Sequence, residues 1–125
     1  MRYSISISKT RKYVLVMVNG NINRELALKY TVESHIVGNE NKIEKILLDL
    51  RNAKNIETVT DNFEFANKDL RSATVINKSA KIAMYVSEND HSHDFVETVS
   101  RNNGHNVKIC RTEEEVLDFF DLNTL

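Results

Sequence analysis

Thr58 and Thr60 stand where the sequence reads as the start of a helix. A hydroxyl there could take a phosphate, whose charge the helix dipole and free N–H groups would stabilise. The plain alternative is capping, because Thr58 and Asp61 have capping-box spacing with a shorter acid in place of Glu. Asp49 and Arg51 end a strand-like run, where a carboxylate and a guanidinium could orient a polar head group or a partner loop, or simply pair with each other. His91 and His93, flanked by Asp90 and Asp94, have the form of a metal-ligating His-x-His. That spacing puts two side chains on one side only in an extended segment, whereas these residues open a helix. Both histidines are therefore expected in solvent, the two acids at a positive helix start, and no metal is expected. With Asp49 and Arg51, His91 makes a polar rim at the strand ends. Cys110 has no partner for an internal disulfide, and although Arg111 beside it could lower a thiol pKa, an inert thiol is expected. Gly-rich phosphate loops, nucleophile elbows and metal-ligand patterns are missing from the sequence, so a chain that binds, without catalysis or cofactor, is expected.

The apolar residues raise a different possibility. From about Asn23 to Val37 the spacing is helical, with Leu26, Tyr30 and Val37 on one side and Gly38-Asn39 as the stop. A second stripe, Leu28, Val32 and Ile36, lies well around the same helix and needs its own cover: a neighbouring helix, a second subunit, an apolar ligand or a membrane. Phe63, Phe65 and Leu70 on the next helix could wall the same pocket.

The elements that would position these residues can be followed along the chain. Tyr3, Ile5 and Ile7 alternate with serines, as in an edge strand with one buried face. Tyr13 to Val18 is almost wholly apolar, as in a strand covered on both faces, and Asn19-Gly20-Asn21 is expected to stop it. After the first helix come a strand at Ile46–Leu50, a polar turn from Arg51 to Asn55, and a helix whose face is Phe63, Ala66, Leu70 and Ala73. A strand at Ile82–Val86, a helix with Phe95, Val96 and Val99, a strand around Val107 and Ile109, and a last helix capped by Thr112 and Glu115 complete the order ββαβαβαβα. The short link between the first two strands makes the first antiparallel, while the helical links make the others parallel. The expectation is a single α/β domain over 1–125 with a five-stranded, mostly parallel sheet. Its ligand edge gathers Asn19 to Asn23, Asp49 to Thr60 and Ser87 to His93.

Bulk properties agree. The chain has 125 residues, 41% hydrophobic and 28% charged, enough for one core without disulfides or metal. Its 17 basic and 18 acidic residues are interspersed, which disfavours nucleic acid as a partner. The longest unbroken apolar run, Tyr13 to Val18, is too short to span a bilayer, and a cytoplasmic location is expected.

The element order, with Lys45-Ile46-Leu47-Leu48-Asp49-Leu50-Arg51-Asn52-Ala53, resembles the STAS superfamily, and most closely its stage II sporulation protein AA-like branch. Lys81-Ile82-Ala83 through Asp90–Val96, and Gly104–Ile109 into Thr112-Glu113-Glu114-Glu115, carry the same resemblance. It implies a mostly parallel sheet and, in anti-sigma factor antagonists, a phosphorylated serine after the third strand. Thr58 is the nearest match to that acceptor, with no glycine behind it, and Arg51 stands where a small hydroxyl residue is common. The neighbouring branch is similar to Sec14-type lipid-binding folds. The resemblance thus implies a domain that binds an apolar or amphipathic ligand, a lipid or a membrane surface, and alternatively a protein-interaction module switched at Thr58 or Thr60. A homodimer, with a second subunit covering the Leu28, Val32 and Ile36 stripe, is a further candidate.

Overall fold

A computed structural model describes residues 2–125; Met1 lies outside the described residues. Five strands, β1 (Tyr3–Ile7), β2 (Val14–Ile22), β3 (Lys45–Asn55), β4 (Lys81–Tyr85) and β5 (Asn106–Cys110), form one sheet in sequence order. β1 pairs antiparallel with β2, and every other pair is parallel. The helices are α1 (Arg24–Asn41), α2 (Val59–Glu64) continued by a π-helical turn (Phe65–Asp69) into α3 (Leu70–Ser72), α4 (Asp94–Asn102) and α5 (Glu113–Phe120).

A strand order that never reverses, joined by right-handed crossovers, puts every crossover helix on the same face. α1, α2–α3 and α4 accordingly share one face, over a core that includes Val14, Val16, Val18, Ile46, Leu48 and Leu50. Only α5, which follows the last strand, remains for the other face, where Val116 and Phe120 pack on Leu47, Ala83 and Cys110. One helix does not cover five strands. The expectation that β2 is enclosed on both faces is corrected: Val14, Val16 and Val18 are sealed, but Met17 on the opposite face is 43% exposed.

Three expected boundaries also move. β2 does not stop at Asn19-Gly20-Asn21, and Arg51–Asn55 is not a turn. The two segments pair, Asn19 with Asn52 through Ile22 with Asn55, beyond a register shift that follows Met17. Gly20 takes φ +86° there, and the ladder satisfies backbone groups that a polar composition had suggested would face water. α1 runs past Gly38 to Asn41, and its left-handed cap is Lys42.

Gly38 is needed inside the helix for a different reason. A β-carbon on it would lie 2.8 Å from the Ile43 carbonyl oxygen, a backbone atom that cannot swing aside. The Gly38 carbonyl itself accepts from the Ile43 N–H at 2.9 Å, which folds the chain back against the helix end. Gly38→Ala is therefore expected to destabilise by about 1–3 kcal/mol despite the better helix propensity of Ala, as read by urea denaturation.

Candidate functional site

A cavity of about 70 Å³ lies between the sheet and the three-helix layer. That is roughly five times what a single buried water requires. Ile22, Ile46, Leu48, Ile82, Met84 and Val107 supply the sheet side, and Ala27, Tyr30, Phe65, Leu70 and Val96 the helices. The gap arises where small side chains, Ala27, Ser34 and Ser100, stand on the inner helix faces. The π turn contributes too. Leu70 donates its N–H to the carbonyl of Phe65, five residues back, so the helix carries an extra residue there and its inward face changes phase. Phe65, Ala66 and Leu70 turn inward and Phe63, 53% exposed, turns out, which corrects the single face expected through Phe63, Ala66, Leu70 and Ala73.

The carboxyl end of the cavity is polar. Arg24 stands at the start of α1, whose N-cap Asn23 accepts the N–H of Leu26. Its guanidinium grips Asp69 with two bonds, 2.7 and 2.9 Å, and Glu64 with a third at 2.7 Å, with Asp61 at 3.9 Å. The Arg24 backbone N–H donates to Glu57 Oε1 at 2.6 Å. Hydrogen bonds from Arg24 hold the Asp69 carboxyl below the usual range, and Arg24 itself rises. Asn55 links β3 to this cluster, donating to Asn62 Oδ1 at 2.7 Å while its own oxygen accepts from the Glu57 N–H at 2.9 Å. α1 and the α2–α3 segment are thus fastened at the cavity mouth by Arg24 among four acids, with Lys68 Nζ 3.8 Å from Glu64 as a second cation.

His93 belongs to the same end and corrects an expectation. It is 2% exposed, with Nε2 3.4 Å from the Ala53 carbonyl and 3.5 Å from Asp90 Oδ2. A helix-opening turn sends alternate residues in different directions, so His91 points to solvent and His93 inward. Burial lowers the pKa of His93 against the pull of Asp90. Burial pushes Asp90 up, but bonds from Ser92 and the nearby His93 and Lys54 outweigh it and leave the carboxyl below its usual range. Exposed His91 pairs with Asp94 at 2.8 Å. Among the described residues no group of three potential ligands comes together to hold a metal.

The expected polar rim divides. Arg51 binds Asp49 through Nε at 2.9 Å and Nη2 at 2.8 Å and lies 4.2 Å from the Tyr85 ring centre, on the α5 side of the sheet. This bond from Arg51 holds Asp49 low. No hydrogen bond or ion pair among the described residues joins His91 to that pair. Arg111 instead gathers the loop before α4, donating to the carbonyls of Ser87, Glu88 and Asp90 and contacting His91 and Asp94. Cys110 is fully buried, and desolvation pushes its thiol up to about 11.

Of the apolar candidates, Phe65 and Leu70 stand in the cavity wall and Phe63 does not. Leu28 and Val32 are half-buried and Ile36 is 38% exposed, and all three lie outside the wall. Thr58 and Thr60 are exposed. Thr58 caps α2, accepting from the Asp61 N–H at 3.1 Å and donating to Asp61 Oδ2 at 3.0 Å. Thr58→Ala is expected to cost about 1 kcal/mol in urea denaturation.

Sequence reasoning missed Arg24, His35 and His105, and it placed His93 in solvent. One signal was available: Ser34 and His35 are polar residues beside the inward stripe of Leu26, Tyr30 and Val37, and both are buried. His35 Nδ1 accepts the Asn77 N–H at 3.1 Å, while its Nε2 and the Nε2 of His105 are buried without a partner.

The architecture, with its antiparallel edge strand and helices between parallel strands, is a STAS fold of the SpoIIAA type. Solved structures bear this out. The chain is similar to the anti-sigma factor antagonist SpoIIAA in its unphosphorylated form, with a TM-score of 0.52 and 10% identity over 93% of this chain and 94% of that one. It is similar also to an uncharacterised DUF3478-family protein with a SpoIIAA-like fold from Shewanella loihica PV-4, with a TM-score of 0.51 and 15% identity over 94% of this chain and 91% of that one. No protein-family profile matches the chain, and neither does any curated protein sequence.

Proposed function

We propose that this is a non-enzymatic binding domain whose cavity between the sheet and α1, α2–α3 and α4 takes a small apolar or amphipathic molecule. The observation that carries the reading is the cavity itself, apolar along its length and polar at both ends. The size favours a compact ligand or one end of a longer one. Arg24 and its carboxylates fasten two of the covering helices, so breaking that cluster would widen the mouth. A membrane surface is the weaker version, because Glu57, Asp61 and Glu64 around the mouth would repel an anionic bilayer. Native mass spectrometry and solvent extraction of freshly purified protein test the proposal. A stoichiometric apolar adduct is expected; bare protein, together with no uptake of added lipids or small hydrocarbons, would remove it.

A second reading is favoured by the exposed Thr58 beside exposed Ile56, Val59 and Phe63. On this reading the surface at the start of α2 docks a protein partner and a phosphate on Thr58 releases it. The phosphate would displace a hydroxyl that sits 3.0 Å from an Asp61 oxygen, so like-charge repulsion would undo the cap. Thr58→Glu is expected to weaken a partner recovered by pull-down, and a phosphate-sized mass increase on Thr58 or Thr60 is expected in cells. Neither effect appearing would defeat this reading. A cytoplasmic protein, its one thiol kept reduced, is the setting we propose. A homodimer would use the sheet face around Met17, with light scattering as its test.

A further inference from the structure

We infer that His35 forms the recognition point of the cavity, donating its Nε2–H to an uncharged acceptor, so that the ligand is an apolar molecule carrying a carbonyl oxygen. This rests on the cavity-binding reading above. Nδ1 of His35 accepts the backbone N–H of Asn77 at 3.1 Å, which requires a lone pair on that nitrogen. The neutral ring must then carry its proton on Nε2. That N–H is buried, and among the described residues no acceptor meets it. A buried donor without a partner is costly, and an acceptor brought by a ligand would relieve that cost. His35 stands in the cavity wall near the amino ends of β3, β4 and β5, with Ile46, Ile82 and Val107 as its apolar surroundings and Ser34 and Ser100 as its polar neighbours. The Ser34 hydroxyl is already committed to the Thr31 carbonyl at 2.8 Å.

The choice of an uncharged acceptor follows from what this end lacks. Arg24 is at the opposite end of the cavity, and no arginine or lysine stands in the wall near His35. A carboxylate buried here would have no cation to meet it. The second unpartnered imidazole, His105, offers a competing account in which the two rings, or a water between them, satisfy each other.

Titration of the full chain with cyclopentanone, cyclopentane and cyclopentanecarboxylate separates these accounts, followed by long-range 1H–15N spectra of the imidazoles. Cyclopentanone is expected to bind about tenfold tighter than cyclopentane, the weight of one net hydrogen bond, and to shift Nε2 of His35. His35→Asn places an acceptor where Nδ1 was and removes the donor; it should still bind cyclopentane and lose the ketone preference. His35→Gln, which can return an N–H to the Nε2 position, should recover part of it. If either variant fails to fold, the wild-type preference and the ring shift decide alone. Equal binding of ketone and hydrocarbon with unmoved rings would overturn the inference and leave the cavity reading standing. Carboxylate binding as tight as the ketone would overturn the uncharged acceptor. Binding of none of the three would remove the cavity reading and this inference with it.

Discussion

Phe120→Ala is expected to lower the unfolding free energy by about 3–5 kcal/mol, the range for emptying a fully buried aromatic site. The side chain has no exposure, and among the described residues its helix is the sole helical cover on that face of the sheet. Its ring centre lies 6.0 Å from that of Tyr13 and 5.9 Å from that of Phe119, so the deletion also uncovers the aromatic contact at the start of β2. The Tyr13 hydroxyl reaches the Leu125 carbonyl at 3.3 Å, which ties the carboxyl terminus into the same layer. Collapse of the site is opposed because β3, β4 and β5 beneath it are held rigidly by the sheet. Urea denaturation measures the effect, and a loss under about 1 kcal/mol would mean that α5 is not the cover it is taken to be.

Acidification produces the second large effect. Burial, with His105 nearby, lowers the pKa of His35 to about 4, against an ordinary value near 6.5. Between those values the unfolded chain holds a proton on this ring and the folded chain does not. Stability therefore falls as pH drops from about 6.5 to about 4 and is flat with respect to this group below that. At about 1.4 kcal/mol per unit, the loss is about 3 kcal/mol for His35 alone. His93 and His105 are lowered as well, chiefly by burial, and add in the same direction. The paired acids Asp49, Asp69 and Asp90 act in a separate, lower window. Their stabilisation is present above the ordinary carboxylate range and is lost as pH falls through their depressed values. Denaturant unfolding at pH 7 and at pH 4.5 should show most of the histidine loss, and His35→Gln should remove the His35 share of it while the shares of His93 and His105 remain. An unchanged midpoint would mean that His35 is protonated in the fold without penalty.

Hydrophobic period revealed the sheet, because Tyr3, Ile5 and Ile7 and the run from Val14 to Val18 have no other economical burial. The parallel direction followed from crossover length. Helix caps at Thr58 and Thr112 were legible since one side chain and one N–H three residues on define them. The cavity was legible only in part. Phe65 and Leu70 could be named from their apolar character, but the π turn that brings them inward leaves no periodic trace, and it is what sends Phe63 outward. Arg24, Glu57, Glu64 and Asp69 are ordinary charged residues in sequence, and only the fold brings 45 positions of separation down to a hydrogen bond. His93 looked like its neighbour His91, and which of the two is buried depends on how one turn enters α4.

Methyl 1H–13C spectra recorded under increasing xenon pressure test for the cavity between the sheet and the three-helix layer, since xenon enters apolar voids without needing a specific contact. The cavity account predicts saturable shifts at Ile46, Leu48, Ile82, Met84 and Val107, and none at Leu47, Ala83 and Val116 on the α5 side. Shifts that grow without saturation, or that appear equally on both faces, would contradict it.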